Sequence, residues 1–449
     1  MSRLRRSLRI LPFLVLAFPV VCGGSVRRVP SQYATINAAI DAAAPGDSVV
    51  VAPGVYDQYD TRLLADGYWY SAVAFLKSGV SVISEAGAGA TMMRLDSAPE
   101  APRLCKGFGL PGTVEVAGFT MTGTAPHIEG AVFANGGRLV LRDCVFQDLG
   151  VGFSDEVASG TVMSDMEVHG CRFENINGAT GSAINQTSGT LLVEDSEFIS
   201  CRSGAVALRY DSGFPHPTGM TVRRCRFVNN VQTLGGSAAI FVRNYTSVLI
   251  EESWFEGNQS IYTGGGGAMG GALSTSASSM HLIRDNTFVR NTADYAGAVA
   301  VWGSGAQVLG NTFWGNWTRL NSSQGGASVY FDSGGVLTNN VIAGSTGDEA
   351  VGRLGGVVQT SCNVFWANPV GNATFPLSSA DLVVDPQFCD AAGGDFTVNA
   401  ASPCLPGHGD PSCMDLIGAW GQGCGTVSVE PSTWGKVKSE FRSESGVAR

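Results

Sequence analysis

The chain has 449 residues, of which 15% are charged, with Lys+Arg 28 against Asp+Glu 38 and a formal charge of 28 − 38 = −10. Phosphate binding draws on clustered cations and a basic balance, so this composition argues against a nucleic-acid partner. With 44% hydrophobic residues and 60 glycines the chain is too apolar to be disordered and too Gly-rich for a helical bundle, which leaves a large, turn-rich β protein.

Residues 1–25 carry Arg3, Arg5, Arg6 and Arg9, then an apolar run from Ile10 to Val21, then small residues. This is the layout of a secretory signal peptide, and the run is too short for a bilayer-spanning helix. Export to the medium or the cell surface is the expectation. Cys22 stands where an acylated lipoprotein cysteine would, yet Val21 is bulkier than the small residue such a motif carries, which favours plain cleavage over a lipid anchor. No later stretch has the length and apolarity of a transmembrane helix.

Residues 26–56 read as a capping helix, with Ile36, Ala39, Ile40 and Ala43 on one face, followed by a first strand. Residues 57–384 are dominated by an internal repeat. LVLRDCVFQDLG, MEVHGCRFENING, MTVRRCRFVNNVQ and HLIRDNTFVRNTA share one template, anchored on Phe146, Phe173, Phe198, Phe227, Phe255, Phe288, Phe313, Ile342 and Phe365, with Phe119 expected to start the series. Five residues before each anchor runs a second apolar column, from Leu141 and Val168 to Leu337 and Thr360. A unit this short cannot bury its own apolar face, so neighbouring units must stack. Two residues before the anchor the sequence places Cys144, Cys171, Ser196, Cys225, Ser253, Asn286, Asn311, Asn340 and Asn363, and three after it Asn230, Asn258, Asn291, Asn316 and Asn368. These columns predict inward ladders of small polar side chains, with the cysteines as core thiols rather than nucleophiles; Cys144 and Cys171, one coil apart, are also within reach of a disulfide.

Residues 385–425 form a Cys-rich closing segment, in which Cys389, Cys404, Cys413 and Cys424 are the best candidates for two bridges and which is expected to close the far end. Residues 426–449 form a polar tail whose TWGKVKSEF portion has the pattern of one short basic amphipathic helix, although a disordered end is the simpler reading.

VPSQYATINAAIDAAAPGDSVVVAPGVY (29–56), LKSGVSVISEAGAGATMM (76–93), the repeats and DPQFCDAAGGDFTVNAASPC (385–404) together resemble the right-handed parallel β-helix repeat family, the pectin-lyase-like superfamily. The resemblance implies an all-β fold, a single-stranded right-handed parallel β-helix with an N-terminal capping helix. It implies no single activity, since that fold hosts lyases, hydrolases, epimerases and adhesins.

In a packed solenoid, chemistry belongs to outward positions. Glu194, Arg223, Glu251 and Arg284 form one charged column and Asp195, Arg224, Glu252 and Asp285 the next. By resemblance to the lyases, Glu251, Glu252 and Asp285 would hold Ca2+ against a uronate with Arg224 or Arg284 as base; alternating signs that neutralise one another by ion pairing explain the first column equally well. Without that lyase chemistry no metal or other cofactor is expected. Trp314 and Trp366, two coils apart with Ala343 between, would make an aromatic platform for sugar, or else cover a Gly-rich surface or pack under a loop. Glu174 and Glu256 are three coils apart, about 14 Å, too far for a glycosidase carboxylate pair. The five histidines are dispersed without zinc-type spacing, and Gly407-His408-Gly409 lacks the partner motifs of a polygalacturonase. Gly264 to Gly267, in the long Phe255 to Phe288 insertion, is expected to flank a groove. The sequence therefore points first to a surface or secreted protein that binds polysaccharide, or another surface macromolecule, along its outer face without catalysis, through Arg224, Glu252, Asp285, Trp314 and Trp366. The alternative is a polysaccharide lyase or glycoside hydrolase.

Overall fold

The computed structural model describes residues 24–425 apart from 97, 99, 101, 124–130, 150–157, 161–164, 178–182, 187–188, 203–204, 210–218, 234, 263, 265–266 and 321–324. The readings of the signal peptide, of Cys22, of His127 and His216, and of the 426–449 tail fall outside the described residues.

Each turn of the chain lays down short strands that pair in parallel with the coils before and after, as period-matched apolar columns require. The result is a three-sided parallel β-helix. Two faces merge into one 23-stranded sheet because the strands Ile240–Glu251 and Leu273–Arg284 run unbroken round their shared corner. The third face is a 13-stranded sheet from Gly54–Tyr56 to Leu382–Val383.

The anchor column lies on the third face in unbroken register from Phe146 to Phe365. Its phenyl rings stack with centroids 4.6 to 4.9 Å apart, a spacing imposed by the coil rise. The start of the series differs from expectation: Met121, not Phe119, stands opposite Phe146, and Met93 stands opposite Met121. Phe119 is buried two positions earlier, level with the small Cys144, where a large ring finds room.

The ladders form as read. Asn286, Asn311, Asn340 and Asn363 each donate Nδ2–H to the Oδ1 of the next member, at 3.0, 3.1 and 2.9 Å, and Asn363 donates to Asp381 at 2.8 Å. Each Asn also donates to a strand carbonyl of the preceding coil, such as Asn311 to Ile283 at 2.9 Å. A second ladder joins Asn230, Asn258, Asn291 and Asn316 at 2.8, 2.9 and 3.1 Å. Amides that would be costly to bury alone thus satisfy one another and the turn backbone.

Helix α1 (Ile36–Ala42) covers the first coil. Thr35 caps its N-terminus by accepting the Ala38 N–H, and Ile36, Ala39, Ile40 and Ala43 are buried as their spacing predicts. Buried Asn37 accepts the Phe75 N–H and donates to the Ala72 carbonyl, satisfying the edge of the strand Trp69–Phe75.

The Cys-rich segment does something other than close the far end. After the strand Leu382–Val383 it turns back along the outer surface of the third face, where Phe388 and Phe396 pack on Trp314, and Phe396 and Trp420 on Trp254. Ala419 N–H bonds Thr312 Oγ1 and Trp420 Nε1–H bonds Thr287 Oγ1. Its bridges are Cys389–Cys424 and Cys362–Cys413, while Cys404 remains a buried thiol, pushed up to about 11 by burial. Cys362 takes the place expected for Cys404 because it sits at an outward corner of the last coil, 5.6 Å from Cys413 between Cα atoms. Cys144 and Cys171 remain free and buried, with no bridge between them.

Candidate functional site

The third face narrows its strands to three residues, so the chain must turn sharply before each one. It does so through one left-handed residue before each strand. Asp195, Arg224, Glu252 and Asp285 occupy this corner in four successive coils with φ of 51, 53, 49 and 57°. A non-glycine residue there costs about 1–2 kcal/mol, and Asp tolerates it better than most. In the next coil the corner is Gly310, and a Cβ on it would fall 2.6 Å from Asp285 Oδ1; the glycine leaves the space that the Asp285 carboxylate fills. Asp143 uses Gly170 in the same way at 2.5 Å, so the motif is structural before it is chemical.

These corner residues form one rim of an open groove of ≈ 740 Å³. Its floor is the position before the anchor, where Arg172, Glu197, Arg226, Trp254 and Thr287 follow one another across the strands. Glu256 and Arg290 form the other rim, and residues 392–394 with Trp420 of the folded-back segment wall one end. Arg224, Glu252 and Asp285 all line this groove. The wall differs from expectation. The Phe255–Phe288 insertion leaves the third face and sends Gly267 and Met269 to a separate ≈ 410 Å³ hollow beside Phe241, Arg243 and Trp302.

The expected tryptophan platform does not form. Trp314 and Trp366 do share a column through Ala343, but Phe388 and Phe396 cover Trp314 and leave Trp366 exposed by itself, outside the groove. The aromatic surface of the groove comes instead from Trp254 and Trp420. Trp254 is visible in the sequence as an outward residue beside an anchor; Trp420 carries no signal, because only the fold-back brings it there.

The charges divide sharply. Arg224 grips Asp195 with two hydrogen bonds of 2.7 and 2.9 Å, and Arg284 binds Glu251 at 2.5 and 2.8 Å. Arg223 pairs with Glu194, so the first charged column neutralises itself as read. Arg172 pairs with Glu174 and Glu197, and Arg290 with Glu256 at 2.7 Å. The hydrogen bond to Asp195 raises the Arg224 guanidinium further above its ordinary value, and that to Glu251 does the same for Arg284. Neither is poised to take a proton. Burial would raise Glu256, but hydrogen bonds from Arg290 and Trp254 outweigh it and hold the carboxyl below its ordinary value. Glu252 and Asp285 have no ion-pair partner among the described residues. Burial raises the Asp285 carboxyl, Arg284 opposes this, and Glu252 and Glu251 add to it.

A Ca2+ ion does not fit this set well. Of the three carboxylates that would hold it, Glu251 is occupied by Arg284, and among the described residues no group of three or more His, Cys, Asp or Glu is arranged to hold a metal. The ladder thiol of Cys225 is equally unsuited to chemistry: burial pushes it up to about 12. His169 lies between Glu167 and Glu194 at 3.2 and 3.1 Å, and His281 is buried against Thr275, each absorbed by local structure.

A stack of parallel coils carrying a side groove defines the class, a parallel β-helix. Residues 113–313 match the family model of the right handed beta helix region, and the fold is a right-handed parallel β-helix, as the repeats lead one to expect. Among solved structures it is similar to the catalytic unit of a thermostable GH87 alpha-1,3-glucanase from Streptomyces thermodiastaticus strain HF3-3, with 14% identity, TM-score 0.43, and 81% of this chain and 68% of that one covered. It is also similar to the A-module of the Azotobacter vinelandii mannuronan C-5 epimerase AlgE6, with 16% identity, TM-score 0.43, and coverage of 78% and 95%. The PL6 family alginate lyase AlyGC follows with 13% identity, TM-score 0.42, and coverage of 81% and 53%. A comparison with curated protein sequences finds no match.

Proposed function

We propose that this is an exported or cell-surface solenoid that binds a polysaccharide chain in the groove of its third face without cleaving it. The observation that carries the reading is the state of the arginines: Arg224, the residue best placed to act as a base, is locked in a two-pronged ion pair with Asp195. A held, firmly protonated guanidinium orients hydrogen-bond donors and cannot abstract a proton. Trp254 and Trp420 supply apolar ring surface at one end of the groove, and the carboxylates of Glu252 and Asp285, which have no ion-pair partner among the described residues, line it as hydroxyl acceptors. The charged lining comprises Arg172, Arg224, Arg226 and Arg290 against Asp195, Glu197, Glu252, Glu256 and Asp285, or 4 − 5 = −1, which suits a neutral glycan better than a polyuronate. The two disulfides fit an oxidising compartment.

A second reading is favoured by one observation, that Glu252 and Asp285 stand without ion-pair partners among the described residues on adjacent coils, with burial raising the Asp285 carboxyl above its ordinary value, as in a site that pairs two carboxyl groups. The purified protein incubated with neutral and uronate polysaccharides, with Ca2+ or with chelator, separates the two. Retention of neutral glycan without new chain ends, weakened about tenfold by Trp254→Ala, is the expected result. New reducing ends abolished by Asp285→Asn would establish a hydrolase, and calcium-dependent unsaturated ends would establish a lyase.

A further inference from the structure

The floor column of the groove does not stop at Thr287. It continues in register through Thr312, Val341, Val364 and Leu382, so one trough runs along the third face to its last strand. Its character changes on the way. The charged and aromatic positions Arg172, Glu197, Arg226 and Trp254 give way to uncharged ones from Thr287 onward, and there the fold-back lies in the trough, with Val341 and Val364 buried against Val398, Cys413 and Ile417. The seating leaves no room beneath it. A Cβ on Gly418 would fall 2.8 Å from Val341 Cγ2 and 3.0 Å from Thr312 Oγ1, and Trp420 Nε1–H bonds Thr287 Oγ1 at 2.7 Å. Two disulfides, Cys389–Cys424 and Cys362–Cys413, hold the segment in place, so Trp420 is a fixed stop.

Exposure falls towards this stop. The side chains of Arg172 and Arg226 are 40% and 51% exposed, whereas Thr287 is 2% exposed. The four coil steps from Arg172 to Thr287 cover about 19 Å at about 4.8 Å each, the length of a short oligosaccharide. A linear glycan lying along the trough can leave it outward over Arg172, but it cannot continue through Trp420. The stop also offers what a terminal sugar needs. Trp254 and Trp420, with ring centroids 6.3 Å apart and planes at 72°, make an apolar corner for one sugar ring. Glu252 and Asp285, on the last two coils before the stop, present carboxylate acceptors, and a terminal sugar keeps a donor hydroxyl that an internal sugar has given up to its glycosidic bond.

We infer that the groove is blind and holds the end of a neutral glycan chain rather than its interior, with the terminal ring against Trp254 and Trp420 and its extra hydroxyl on Glu252 or Asp285. This rests on the glycan-binding function proposed above and narrows it to chain ends. Binding capacity then follows the number of chains in a sample and not their mass.

Competition on the full chain tests it. The probes are a linear neutral glucan and a linear neutral mannan, each whole and shortened tenfold by partial hydrolysis. Compared by mass, the shortened form of the retained polysaccharide should compete about tenfold better than the whole one, because it offers ten times as many ends. Borohydride reduction, which opens the ring at the reducing terminus, then assigns the end: lost competition places the reducing end at the stop, and unchanged competition the non-reducing one. Equal competition by mass would overturn the inference and leave glycan binding standing. Retention of neither polysaccharide would overturn it together with the function on which it rests.

Discussion

At the scale of single residues, the groove's chemistry rests on a backbone position that L-amino acids occupy at a cost. Glu252 has φ of 49° and no ion-pair partner among the described residues. Its side chain therefore contributes little to the fold that would offset its strained backbone. Glu252→Gly is expected to raise unfolding stability by about 1 kcal/mol, read by urea titration, while lowering glycan retention. A residue kept for structure would show the opposite sign. Asp285 differs, because its carboxylate fills the gap over Gly310 and so serves packing as well. Arg224 differs again, since its pair with Asp195 spends its charge on order. The three corner candidates thus share one conformation and divide into a free acid, a wedged acid and a tethered cation.

At the scale of elements, the fold-back of 385–425 decides what the groove is. It covers Trp314, frees Trp366, brings Trp420 beside Trp254 and walls one end with 392–394. The Cys362–Cys413 bridge, spanning 51 residues, ties this segment to the last coil. Replacing both cysteines with serine should cost about 2–4 kcal/mol of the segment's own stability. The expected readout is early proteolysis within 385–425 and loss of Trp254 fluorescence shielding, with the Phe stack intact. The segment also marks the limit of what the sequence makes legible. Columns repeat, so the anchors, the ladders and the corner charges could be read one coil from the next. Trp420 meets Thr287 across 133 residues, and Cys413 finds Cys362 rather than a neighbour in its own cluster; such single, non-periodic contacts leave no pattern to read. Phe119 misled for the related reason that an aromatic residue two places from its column still satisfies the apolar pattern, and only the pairing of Met121 with Phe146 resolves the register.

At the scale of the whole molecule, stability is that of a one-dimensional stack in which each coil touches only its neighbours. A ladder defect should therefore act locally. Asn311→Ala removes bonds to Asn286, Asn340 and the Ile283 carbonyl, and is expected to cost about 3 kcal/mol by stranding their buried groups. Hydrogen exchange should then rise in the coils from 283 to 340 and stay unchanged near Val82 and Val116. Uniform exchange along the chain would mean that the solenoid unfolds as one unit.

The asparagine ladder has a direction as well as a length. Every rung from Asn286 onward donates forward and accepts from behind, so the amide dipoles add head to tail along the axis. Their positive end faces the last coil. There the row meets not another amide but Asp381, whose Oδ1 receives Asn363 and whose Oδ2 receives the Ser378 N–H. A carboxylate thus stands at the positive pole, as an anion does at the head of an α-helix. The molecule is in this sense an electret, polarised along its axis by neutral side chains, with a single acid as its terminal electrode.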